Sequence, residues 1–252
     1  MKPLLLLILA GLASFGTPLR LLNAGGCGAG LLLPRALNER QQSQMYAYLC
    51  ANARGTQEWQ NLQVDAGSVA NATSAERPLP LLVHRHPYTL KSNGAAPSIL
   101  TWVRQLAFHA ARKVAAADGL APRDERARLA RALRATRPDS LVSILYRSRG
   151  ALQPHVDHGL EGLGLAVSLG SSCEFRYGDE VVELHSGDAL FGRFGSVEHE
   201  VASIRPVSTG PAWWRDLPAA PGPAGGISRF GRARCSLQIR KARDRRRGPP
   251  DR

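Results

Sequence analysis

Acidic residues are scarce in this sequence and unevenly placed. None precedes Glu39, and the 252 residues hold 20 Asp and Glu against 33 Lys and Arg. The resulting +13 charge and pI near 10.6 are unusual for an enzyme of small anionic metabolites and favour a polyanionic partner such as nucleic acid. Part of the excess is local, because 241–252 reads as a basic tail. Cysteine is also sparse. Cys27, Cys50, Cys173 and Cys235 form no C-x-x-C pair and no zinc spacing, which argues against a disulfide framework and a structural zinc and makes a reducing, intracellular setting the default. Long apolar runs are missing too: residues 3–15 fall short of the ~20 that an ordinary membrane span needs. No stable membrane association is expected, and a monomer is.

The apolar start nevertheless calls for a reading. Lys2 followed by PLLLLILAGLASF has the outline of a signal peptide, and an acid-free leader carrying Lys2, Arg20 and Arg35 equally suits an organelle-targeting segment. The alternative is a buried helix followed by a strand, Ala29–Leu33, of the same domain. The chain divides into a leader or hydrophobic segment 1–28, a helical and loop region 29–138 packing on the core, a core 139–240 with an insertion at 205–226, and the basic tail. Location is nuclear or cytoplasmic, or a mitochondrion or plastid if the leader is a targeting segment.

Three stretches ahead of the core have helical periodicity. Residues 34–50 place Ala36, Leu37, Met45, Tyr46, Leu49 and Cys50 on one face, with Pro34 near the start. Residues 97–117 form the strongest helix, with Ile99, Trp102, Val103, Leu106, Ala110 and Val114 on one side and His109 as a packed or partly exposed histidine. Residues 123–137 put Leu129 and Leu133 inside and a crowd of arginines outside, either a solvated face or a phosphate-facing stripe. Between the first two, 51–79 reads as loop. His84-Arg85-His86 lacks a nearby acid or cysteine and reads as a surface or substrate-loop feature rather than a metal cluster. The insertion 205–226 is Pro- and Gly-rich around Trp213 and Trp214, which suits a mobile loop or lid.

The core is a series of short strand-like segments. The run 140–146 is nearly continuous in apolar residues, as a doubly covered strand would be. Segments 164–169, 173–177, 181–185, 188–194 and 200–204 follow, separated by Gly170-Ser171-Ser172, Gly178-Asp179, Ser186-Gly187-Asp188 and Gly195-Ser196. Many short strands with evenly spaced turns predict an α+β chain built on a double-stranded β-helix, a jelly roll, with flanking N-terminal helices. Within it, His155-Val156-Asp157 is expected at the end of one strand and His199 at the start of another. Two imidazoles and one carboxylate are what a facial iron(II) site requires, leaving three positions open for a co-substrate and dioxygen. On the last strand, 234–240, period 2 turns Arg234, Ser236, Gln238 and Arg240 to one side. Two cations in a pocket beside a metal ask for a dicarboxylate.

H-x-D alone is a weak signal. The order of parts, a strand ending in Tyr146, then H-x-D, a Gly187-Asp188 turn, His199 and finally R-x5-R, resembles the AlkB-like family of iron(II)- and 2-oxoglutarate-dependent dioxygenases over 139–240. The phrases LYRSRGALQPHVD, AVSLGSSCEFRYG, LHSGDALF, EHEV and RCSLQIR carry it. The resemblance implies that His155, Asp157 and His199 ligate Fe(2+). It implies that Arg234 and the Tyr146 hydroxyl hold the distal carboxylate of 2-oxoglutarate, with Ser236 in the same pocket, and that Arg240 lies near the metal-chelating carboxylate. The family usually has Asn where Ile144 stands and often Asn at Ser236, and some members have an acid where Gly159 stands. The implied activity is oxidative demethylation of alkylated DNA or RNA bases, consuming O2 and 2-oxoglutarate and releasing formaldehyde, succinate and CO2. The alternatives are a 2-oxoglutarate oxygenase acting on a protein or small molecule, and a non-catalytic jelly-roll module that binds nucleic acid.

Overall fold

The computed structural model describes residues 18–23, 29–52, 59–61, 81–86, 98–147, 150–216 and 232–241. Twelve strands among them form two antiparallel sheets. The larger runs β1 (Arg20–Asn23), β2 (Ala29–Leu33), β10 (Ala189–Gly192), β7 (Gly164–Gly170), β12 (Arg232–Arg240), β5 (Ser140–Arg147), β4 (Leu81–His86) and β3 (Trp59–Asn61), in that spatial order. The smaller runs β6 (Leu152–His155), β11 (His199–Ile204), β8 (Cys173–Tyr177) and β9 (Glu180–Leu184). The jelly roll expected from the turn spacing is therefore the architecture.

The large sheet is covered on both faces, which explains its continuous apolar strands. Along β5, Leu141 and Leu145 face the helices, whereas Ile144 and Tyr146 face the small sheet. Every residue of β7 is buried. On the helix side, Leu165, Val167 and Leu237 pack with Trp102, Val103 and Leu106 of α2 (Ser98–Ala116) and Leu129 and Leu133 of α3 (Arg123–Arg134). Between the sheets, Tyr146 and Ala166 meet Phe175, Tyr177, Val182 and Val201. His109 on α2 is half-buried. Among the described residues no helix is long and apolar enough to cross a membrane.

Three N-terminal details differ from the sequence reading. The helix expected from Pro34 begins at Glu39 as α1 (Glu39–Asn52). Asn38 and Gln41 exchange side-chain and backbone hydrogen bonds of 2.9 Å, a reciprocal cap that sets the start. Just before it, Arg35 takes φ 53 and donates its backbone N–H to Asp188 Oδ1 at 2.9 Å. Residues 20–23, within the segment read as leader, form an edge strand of the large sheet, while 1–17 lie outside the described residues. His84-Arg85-His86 belongs to strand β4 rather than to a loop, and 59–61 of the expected loop form β3; the rest of 53–80 lies outside the described residues.

The insertion is partly built into the body. Val207–Thr209 make a 3-10 turn and Ala212–Arg215 a short helix, α4. Trp214 is buried against Tyr46, ring centroids 4.8 Å apart. Its indole fills the space over Gly170, where a Cβ would stand 2.5 Å from the ring and where φ is +92. Trp213 donates to Gln42 Oε1 at 3.3 Å. Aromatic burial thus overrides the Pro/Gly composition for 205–216, contrary to the lid expectation; 217–231 lie outside the described residues.

Candidate metal centre

His155 closes β6 and His199 opens β11, and the register pairs the two residues directly. β6 is an edge strand of the small sheet, the kind of strand in which a proline such as Pro154 is tolerated. The chain then turns, and the Asp157 backbone N–H, bonded to Phe194 O at 2.8 Å, fixes the carboxylate between the rings. The imidazole centroids are 4.3 Å apart. His155 Nε2 lies 3.5 Å from Asp157 Oδ1 and His199 Nε2 3.8 Å from Oδ2. One ligand atom from each residue falls within 4.8 Å of the others.

The ring tautomers follow from the backbone. His155 Nδ1 sits 2.7 Å from Gln153 O and His199 Nδ1 3.0 Å from Val197 O. A carbonyl only accepts, so each Nδ1 carries a proton and each Nε2 is turned toward the shared centre. His199 Nε2 is buried with no hydrogen-bond partner. Burial pulls the His199 imidazole down to about 4, so it is in the neutral, ligating form at pH 7. Burial pushes the Asp157 carboxyl up, but hydrogen bonds from His155 and Arg240 outweigh it and hold it well below the usual carboxylate range. The hydrogen bond to Asp157 raises His155, against the effect of burial. An orphaned buried nitrogen, a second oriented imidazole and an ionised carboxylate fit a divalent metal with one face left open.

The arginines of β12 occupy two different environments on the same strand face. Arg240 donates from Nε to Asp157 Oδ2 at 2.9 Å and from Nη1 to Leu165 O at 2.8 Å, and its guanidinium stacks 3.9 Å from the Phe194 ring. Gly164 makes room for it, since a Cβ there would stand 2.7 Å from Arg240 Cδ. This arginine therefore braces the Asp157 carboxylate itself. Arg234 is 2% exposed, and its Nε and Nη1 have no partner. It lies 5.4 Å over the ring of Tyr146, its register partner, whose fully buried hydroxyl also lacks a partner. Burial lifts that phenol well above its ordinary range, so Tyr146 stays a neutral donor. A buried cation with unused donors is costly until an anion meets it. Arg234, Ser236, Gln238 and Arg240 line one cavity with His199 and Leu152, so the unpartnered guanidinium and one of the two imidazoles open on the same space.

All seven residues singled out in the sequence, His155, Asp157, His199, Tyr146, Arg234, Ser236 and Arg240, lie around this centre. The sequence reading missed the orienting carbonyls of Gln153 and Val197 and the Phe194 ring, and it put Gln238 on the right face without a role; its Oε1 accepts from Arg240 Nη2 at 3.3 Å. Each carbonyl stands two residues before its histidine, a spacing visible in the chain but silent about which way the ring turns.

No protein-family model matches the chain. The solved structure of OsALKBH1 superposes with a TM-score of 0.58 at 20% sequence identity, covering 89% of this chain and 100% of that one. The two chains share one fold. An oxidoreductase of the 2OG-Fe(II) oxygenase family from Burkholderia pseudomallei aligns with a TM-score of 0.42 at 13% identity, over 85% of this chain and 84% of that one. A curated relative, the probable lanosterol 14-alpha demethylase of Acanthamoeba polyphaga mimivirus, is 25% identical over 173 residues. The match spans 69% of this chain but only 22% of that relative, so the activity in its name belongs to a much longer protein.

Proposed function

We propose that the chain is an iron(II)- and 2-oxoglutarate-dependent dioxygenase that oxidatively demethylates alkylated nucleic-acid bases. The observation that carries the oxygenase reading is the pairing of a His-Asp-His centre with a buried arginine whose Nε and Nη1 have no partner and which shares a cavity with His199. His155, Asp157 and His199 would hold the iron through two Nε2 atoms and a carboxylate oxygen. Arg234 and the Tyr146 hydroxyl would receive the distal carboxylate of 2-oxoglutarate. Arg240 keeps Asp157 ionised and oriented, and Leu152, Phe175 and Val201 supply an apolar wall that excludes water. When bound, iron and co-substrate supply the oxidation of a C–H bond by dioxygen, with release of succinate and CO2. A hydroxylated N-methyl group then leaves its base as formaldehyde.

The +13 charge supports a nucleic acid as substrate. A base inside a duplex would have to be flipped or met as a single strand to reach the centre. The test is mass spectrometry of nucleosides from methylated DNA and RNA oligomers incubated with protein, iron(II), 2-oxoglutarate and ascorbate. Loss of one methylated nucleoside with matching formaldehyde is expected. Turnover on methylated peptides alone would move the substrate to protein, and no consumption of 2-oxoglutarate under any condition would leave a binding module.

A further inference from the structure

A second cleft lies at the same end of the sandwich as the metal centre. β6, β10 and β12 finish at this end, and β5, β7 and β11 begin there, as the pairs His155 with His199, Gly192 with Gly164 and Arg240 with Ser140 show. Arg137, Arg193 and Lys241 line the cleft together with Glu161, Thr136 and Gly162. Two of its cations are chain neighbours of residues at the centre. Arg193 points outward where Phe194 turns inward beneath Arg240, and Lys241 follows Arg240 out of the strand. The cleft's carboxylate, Glu161, is already engaged by Lys241 at 3.4 Å, and its backbone N–H bonds Lys241 O at 3.0 Å. Arg137 is held in place by donating to Arg134 O and Thr136 O. Among the described residues no carboxylate pairs with Arg137 or Arg193. On α3, which leads into the cleft, Arg131 and Arg134 are also exposed.

We infer that this cleft is a phosphate site for the backbone of the substrate strand, so that a phosphodiester held by Arg193 and Arg137 places a neighbouring base at the metal centre. Fixed cations beside a reaction centre position a polyanion without reading its sequence. The inference rests on the nucleic-acid reading above and adds where the strand is gripped.

The test is fluorescence-anisotropy titration of labelled single-stranded DNA and RNA oligomers at several salt concentrations, using the full chain. Arg193→Glu is expected to weaken binding about tenfold or more, and Arg193→Ala to lower the salt slope by about one, irrespective of sequence. Arg205→Ala, at the far end of β11, serves as the charge control and is expected to bind as wild type. Unchanged thermal midpoints of the Arg193 variants exclude misfolding, and Arg137→Ala then adds a second contact. If wild type binds and Arg193→Glu binds equally well, or Arg205→Ala weakens binding as much, the cleft assignment is overturned while the substrate reading stands. If wild type binds neither oligomer at low salt, both fall. A loss for RNA alone or DNA alone identifies which strand the cleft serves.

Discussion

Two histidine-aspartate groups sit at opposite ends of this sandwich, and their different fates show what makes a site. At the turn before β10, Asp188 accepts the backbone N–H of Arg35 on Oδ1 at 2.9 Å and of His185 on Oδ2 at 2.8 Å. His185 Nδ1 is bonded to Ser172 Oγ at 2.9 Å. Both carboxylate oxygens are spent on the chain, so the group closes a turn and has nothing left to offer a ligand. At the other end, Asp157 gives Oδ2 to Arg240 and faces two imidazoles whose Nδ1 atoms are occupied and whose Nε2 atoms are aimed inward. Burial raises Asp188 despite its two amide donors, whereas His155 and Arg240 hold Asp157 down. The residue types are the same. What differs is which lone pairs remain after the backbone has been satisfied.

The comparison breaks most sharply by deletion. Asp157→Ala or His155→Ala is expected to bring 2-oxoglutarate turnover to background with the fold retained, because the ligands sit at strand ends; full activity in either variant would refute the assignment. Arg234→Ala comes next. One charge-assisted contact is worth ~1.5–3 kcal/mol, so the 2-oxoglutarate concentration giving half-maximal turnover should rise by roughly 10- to 150-fold. An unchanged requirement would put the co-substrate elsewhere.

Manganese(II), a redox-quiet stand-in, should stabilise the wild type by about 2.7 kcal/mol at a hundredfold excess over its dissociation constant. Thermal melts should show the shift in wild type and in Asp188→Ala, and none in Asp157→Ala. A shift lost with Asp188 would erase the distinction between the two groups. Smallest is the structural role itself: Asp188→Ala strands two backbone N–H groups and should cost ~1–3 kcal/mol in chemical denaturation while turnover per folded molecule is kept.

Much of this was legible in the chain. The turn residues and apolar runs from 140 to 204 marked the strands closely, β8 to the residue, because the pleat forces alternation and a doubly covered sheet forces continuous apolar runs. His155, Asp157 and His199 stood out through their order along the chain, and Arg234 and Arg240 through their even spacing. The start of α1 was misplaced because Pro34 signals a helix start, while the Asn38–Gln41 exchange that sets it depends on side-chain rotamers. Trp213 and Trp214 were unreadable for a different reason: their partners, Tyr46, Gln42 and Gly170, are distant in sequence.

The sequence by itself determined the strand pattern, the cationic balance and which donor types the chain could bring to a metal, since each follows from local periodicity or composition. Only the tertiary structure decided that Nε2 rather than Nδ1 faces the centre, that Arg240 braces Asp157 while Arg234 keeps free donors, and that Asp188 is spent on a turn. Those outcomes depend on which backbone carbonyls and amides arrive beside each side chain, and strands far apart in sequence bring them there.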